Sequence, residues 1–146
     1  MTNSTGDYSH TEGYDTESDG DYSHAEGSSS RSNAGSSHAE GNNTSTGGYA
    51  SHAEGRYTYT SSSYSHAEGY STQAFGYASH AEGYSTQSAG NYSHTEGRNT
   101  DTAGDYSHAE GWNTISQNIY QHSAGTYNVC LLYTSDAADD MQCVDL

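Results

Sequence analysis

The sequence predicts an all-β fold, a parallel β-roll or β-solenoid of 14-residue turns with two short strands in each turn. Three observations predict it. Histidine stands at 10, 24, 38, 52, 66, 80, 94, 108 and 122, always fourteen residues apart. Inside that period lies a second one: position 9 and every seventh residue after it through 114 is Ser or Thr, and Gly recurs at the same interval with gaps at Ala34, Ser62 and Asn118. Only 29% of the 146 residues are hydrophobic, more than half of them Tyr and Ala, so an aliphatic core cannot be built. Register held to the residue over eight copies must then come from stacking.

One turn reads Tyr-Ser-His-Ala-Glu-Gly-x-x-Thr-x-Ser/Ala-x-Gly-x, as in YSHAEGYSTQAFGY from Tyr64 to Tyr77. Its halves, Ser-His-Ala-Glu-Gly and Thr-x-Ser/Ala-x-Gly, each predict a short strand closed by a bend that Gly assists, because Gly reaches positive φ cheaply. Strand alternation then separates the faces. The first, third and fifth residues of each half are small and are expected to point inward, giving a narrow coil bonded by Ser/Thr hydroxyl ladders along its axis. The Thr column (Thr44, Thr58, Thr72, Thr86, Thr100, Thr114) is placed inside by the same rule, which argues against a flat ice-binding face.

The outward positions of the second half vary freely: Glu17 and Asp19, Arg31 and Asn33, Gln73 and Phe75, Asp101 and Ala103. In the first half they do not. The pairs are His10 and Glu12, His24 and Glu26, His38 and Glu40, His52 and Glu54, His66 and Glu68, His80 and Glu82, His94 and Glu96, and His108 and Glu110. A freely solvated face would not hold two residue types constant, so this column is the candidate site.

The spacing and small-residue pattern of residues 2 to 128 resembles the head repeats of YadA-like trimeric autotransporter adhesins, which repeat Ser-Val-Ala-Ile-Gly, two residues, then Ser-x-Ala-x-Gly. Ser79, Ala81, Gly83, Thr86, Ser88 and Gly90 match, while His80 and Glu82 replace the two apolar residues. Repeats written SHAEG also look like those of phage tail-fibre or appendage proteins and bacterial surface proteins. The resemblance implies a left-handed roll, three copies of which form a homotrimer with the His/Glu column at the seam between chains. It further implies a structural or adhesive segment of an extracellular fibre, on a phage virion or a bacterial cell surface, with a host-surface glycan or protein as receptor.

Two readings of the His-x-Glu column stay open. One is a ladder of hydrogen bonds between neutral imidazoles and carboxylates across the seam, where buried charge needs a partner. The other is a divalent metal site, Zn or Ni, to which three chains supply imidazoles and carboxylates on a common axis. Catalysis is not expected. Nine equal copies do not make one active site, and in each Ser-His step, such as Ser51-His52, adjacent strand residues point to opposite faces. The fifteen Tyr residues flank the strands. They are read as covers for bends and grooves, with Tyr14, Tyr70 and Tyr84 as candidates for a sugar- or receptor-binding surface.

Net charge is −16, with Arg31, Arg56 and Arg98 and no Lys, which excludes phosphate neutralisation and so nucleic-acid binding. No apolar run approaches the roughly 20 residues of a membrane span, and no membrane insertion is expected. Thr2, Ser4 and Gly6 already stand in phase, so residues 1–128 are read as about eight turns of a longer array. The tail 129–146 differs in composition and holds both cysteines, Cys130 and Cys143. Its string CLLYTSDAAD resembles translated adaptor DNA from sequencing libraries, and a native disordered tail is the alternative.

Overall fold

A computed structural model describes residues 2–127 and, for the main chain alone, 129 and 130. Most of the tail therefore lies outside the described residues, and its reading with it. The described chain is an all-β solenoid of parallel strands with 14 residues per turn and about nine turns. The count exceeds the expected eight because a ninth long strand forms at His122–Thr126. Its Ser123 and Gly125 keep the small-residue register although Ala124 replaces the glutamate.

Two parallel sheets make up each turn, one of ten strands and one of nine. The halves of the repeat are less alike than the sequence pattern implies. Long strands run from the histidine to the residue after the glycine, as in His24–Ser28 and His66–Tyr70. Short strands span two residues, as in Arg31–Ser32 and Gln73–Ala74. Each residue pairs with the one fourteen positions away: His66 with His80, Ala67 with Ala81, Glu68 with Glu82.

The core follows from alternation. Ala25, Ala39, Ala53, Ala67, Ala81 and Ala109 are fully buried, and so are Thr46, Thr60, Ser88 and Thr102 from the facing short strands. The glycines split into two classes. Gly20, Gly76 and Gly90 are buried, and a Cβ on them would come within 2.1 Å of a carbonyl in the next turn. Gly27, Gly41 and Gly55 are exposed, contrary to the inward position expected for them. Their φ values of 104° to 117° turn the strand out of regular alternation, and a Cβ there would also meet the next turn's carbonyl.

The sharp corners fall two residues later, on non-glycines. Eighteen residues at every seventh position from Tyr8 to Tyr127 have φ between 50° and 60°. Each costs on the order of 1 kcal/mol for a residue with a Cβ. Stacking offsets this, since the corner N–H donates to a carbonyl one turn back: Tyr22 to Asp7 at 2.8 Å, Ser29 to Tyr14 at 2.8 Å, Ala50 to Gly35 at 3.0 Å.

Hydroxyl bonding also departs from the expected axial ladder. The serine before each histidine from His10 to His108 donates to the carbonyl three residues back, as Ser37 to Ala34 (2.6 Å), Ser79 to Gly76 (2.8 Å) and Ser107 to Gly104 (2.6 Å). Other bonds cross the coil, as Thr60 to Ser51 at 3.0 Å and Ser88 with Ser93 at 2.6 Å. Axial contacts such as Ser32 with Thr46 are longer, at 3.2 Å. Strand spacing of about 4.8 Å leaves axial neighbours farther off than the local carbonyl. The hydroxyls of Thr16, Thr44, Thr58, Thr72 and Thr86 are buried with no partner.

Candidate functional site

Inward Ala25 and its equivalents force His24 and Glu26, and every pair like them, onto the outer face of the long-strand sheet. Two residues along a strand separate the Cα atoms by about 7 Å. The side chains lean together, however, and Nε2 of His38 stands 3.6 Å from the Glu40 carboxylate, with 3.7 Å for His52 and Glu54. Some imidazoles also reach back one turn. His80 lies 3.8 Å from both Glu82 and Glu68, and His108 lies 3.9 Å from Glu96. All these distances exceed the about 2.7–3.2 Å of an N–H···O hydrogen bond.

The imidazoles stack on one another instead. From His24 to His122 successive rings lie 4.7 to 4.9 Å apart and within 9° of parallel. Only the first step, His10 to His24, is edge-on at 68°. In the stack, Nε2 of His24, His38, His52, His66, His80, His94 and His108 is shielded from solvent and has no hydrogen-bond partner. The His52 and Glu54 side chains remain 35% and 33% exposed, so the face is half-buried even in a single chain, while the terminal His10 and Glu12 are 63% and 65% exposed.

Electrostatics follow the geometry. His38, His52, His66 and His80 titrate below the ordinary imidazole value, first because burial penalises the cation and second because the next imidazole repels it. His24 and His108 are lowered by the same causes. Along the glutamate column, carboxyls one turn apart share protons. Glu54 and Glu82 are pushed up to about 7, each first through a hydrogen-bonding contact with Glu68. Glu68 and Glu96 move down, each first through the reciprocal contact, with Glu54 and with Glu82 respectively. Beside this column the exposed glycines leave an open groove of about 850 Å³, lined by Glu54, Glu68, Glu82 and Glu96 with Gly55 and Gly83 among others.

Four sets of these groups place their ligand atoms within 4.8 Å of one another: His38, Glu40 and His52; His52, Glu54 and His66; His80, Glu82 and His94; Glu96, His108 and Glu110. Imidazole nitrogen and carboxylate oxygen suit borderline divalent ions. A nucleophilic arrangement is absent from the Ser-His steps: Ser51, Ser65 and Ser79 are buried inside the coil while their histidines face out.

Aromatic side chains border the face on both sides. Tyr70 and Tyr84 stack at 5.0 Å and 6°, which covers one face of each ring. Arg56 lies 5.8 Å over Tyr70, and Arg98 lies 5.6 Å over Tyr84 and 5.8 Å over Trp112, so a cation flanks the tyrosine pair on each side. Tyr14 is 73% exposed. On the histidine side, Tyr49, Tyr64, Tyr77, Tyr92, Tyr106 and Tyr120 form one unbroken ridge with centroids 5.0 to 5.9 Å apart. Tyr49 and Tyr77 stand one residue ahead of the fourteen-residue column of Tyr64, Tyr92, Tyr106 and Tyr120, so periodicity alone does not place them in the ridge. The signal was present: each precedes an alanine, Ala50 or Ala78, that replaces the tyrosine of that turn. No protein-family model matches this chain, and no curated protein is similar to it.

Proposed function

We propose that this chain is a structural and adhesive segment of an extracellular fibre, a phage tail fibre or a bacterial surface adhesin, in which three left-handed rolls associate through their His/Glu faces. One observation carries the reading: the only outward residue pair held constant over eight turns forms a straight, half-buried face whose inner Nε2 atoms lack partners. A partner strand array bearing the same column would offer carboxylate acceptors to those nitrogens. The variable short-strand face repeats no such demand from turn to turn; its one counterpart among the described residues is Asp101 Oδ1. The aromatic ridges flanking the seam would then meet grooves between chains or a host-surface glycan or protein receptor.

A scaffold role, not catalysis, fits a column of like repeats whose serines, from Ser23 to Ser107, are buried. The test is the mass of the native particle. Light scattering or native mass spectrometry should find three times the 15.5 kDa chain. A monomer at micromolar concentration would sink the seam.

A further inference from the structure

We propose that the His/Glu face is a ladder of divalent transition-metal sites, each built within one chain from an imidazole and a carboxylate of one strand and an imidazole or carboxylate of the next. The inference goes beyond the fibre reading and does not rest on it, because every ligand belongs to a single chain.

Distance carries the argument first. The Nε2 to carboxylate separations of 3.6 Å at His38 and Glu40, 3.7 Å at His52 and Glu54, and 3.8 Å at His80 and Glu82 are too long for hydrogen bonds. Two ligands each about 2.0–2.2 Å from one tetrahedral ion stand about 3.3–3.6 Å apart, so the gap is nearly the size an ion requires. The third ligand is close at hand, since the ligand atoms of each set lie within 4.8 Å and a modest ring rotation closes the remainder. Water completes the shell.

The second observation is independent of the carboxylates. Seven consecutive Nε2 atoms are shielded from solvent without any partner. Imidazole nitrogen with carboxylate oxygen, and no thiolate in any of the four sets, selects zinc, cobalt or nickel over calcium or magnesium.

Sharing sets the occupancy. Two of the four sets both use His52 and cannot be filled together, so four sets less one leaves three ions per chain. Two of those ions, one held by His80, Glu82 and His94 and one by Glu96, His108 and Glu110, sit at successive steps of the ladder, and the third lies nearer the N-terminus. Together they would cancel much of the like-charge repulsion along a column that belongs to a chain of net charge −16.

The experiment uses the whole chain, stripped with chelator and titrated with Zn²⁺ by calorimetry and with Co²⁺ by visible absorption. About three Zn²⁺ per chain are expected, with cobalt bands of low coordination number. The variant His80→Gln/His94→Gln should bind one ion fewer, and Glu82→Gln, which keeps size and face, should weaken that one site at least tenfold. Arg31→Gln on the opposite sheet should change nothing. Fewer than one Zn²⁺ per chain, equal binding of Mg²⁺ and Zn²⁺, or unchanged stoichiometry in His80→Gln/His94→Gln would each overturn the proposal. Mass measured on the same samples separates the two readings: a monomer with three ions overturns the seam alone, and a trimer without ions overturns the metal ladder alone.

Discussion

His52 and His66 lie face to face, ring centroids 4.9 Å apart and planes 1° from parallel. Such a stack is stable only while its rings are neutral, because burial and the next imidazole both oppose the cation. An unfolded imidazole takes a proton near 6.5, whereas the six lowered histidines resist it, so below that pH the unfolded chain binds more protons. Their contribution to stability is present above 6.5 and lost as pH falls through the lowered folded values. Glu54 and Glu82 act the other way: raised from 4.5 to about 7, they favour the fold below 4.5, and that contribution is lost as pH rises through 7. In Glu54→Gln/Glu82→Gln the opposing carboxyls are gone and the imidazole contribution stands alone. The metal-free variant should therefore melt at lower temperature at pH 5 than at pH 7.5, followed by circular dichroism, and should lose more on acidification than the parent. A melting temperature that climbs on acidification would refute this.

One added methyl group should have very different consequences at Gly41 and at Gly35, which lies outside both stacked glycine classes. In Gly41→Ala the side chain would have to adopt φ near 117° and would sit 2.0 Å from the Gly55 carbonyl. A loss of at least ~3 kcal/mol is expected from the conformation and the displaced backbone together. At Gly35 the nearest atoms to an added Cβ are 3.5 Å away, and Gly35→Ala should stay within about 1 kcal/mol of the parent. Urea titrations of the two variants compare them directly, and coincident midpoints would be fatal to the argument.

Interior threonines should separate in the same manner. Thr60 donates to Ser51 at 3.0 Å, so Thr60→Val removes a buried bond and should cost about 1 kcal/mol. The Thr72 hydroxyl is buried without a partner. Thr72→Val, nearly isosteric, removes an unsatisfied oxygen and should leave stability unchanged or raise it by up to about 1 kcal/mol. Thermal melts that rank the two variants in the reverse order would contradict the hydroxyl assignment.

Ala50 and Ala78 hold the left-handed corner at φ 50° with no side-chain group suited to it. Asn tolerates that region better, and Asn43, Asn99 and Asn113 already occupy the left-handed corner of the other half-turn. Ala50→Asn should gain about 0.5–1 kcal/mol, read as a higher melting temperature, provided the Ala50 N–H keeps its bond to the Gly35 carbonyl.

The turns, the small-residue core and the outward His/Glu column were legible because stacking writes itself into columns: a residue fourteen positions on occupies the same environment. Ala53 inside with His52 and Glu54 outside needed only strand alternation. Other features left no such mark. Gly20 and Gly27 look alike in a seven-residue register, yet one is packed inside and the other lies exposed at φ 104°. The true corners fall on Tyr22, Ser29 and Asn43, whose side chains carry no requirement for positive φ; backbone bonds to the previous turn hold them. Serine composition likewise could not say which acceptor each hydroxyl would choose. The convergence of His38 and Glu40 to 3.6 Å depends on side-chain lean, which residue spacing along a strand does not specify.

Residue-for-residue stacking of Ser51 on Ser65 and Gly41 on Gly55 makes the coil intolerant of any length change that is not a whole turn. One inserted residue would slip the register, send imidazoles inward and alanines outward, and drive a Cβ into the glycine column. Fourteen inserted residues would do none of this; they would add a rung of about 4.8 Å and leave every neighbour unchanged. Recombination between repeats would thus be filtered by the fold itself, and the rod would evolve like a ruler, lengthening or shortening by whole graduations.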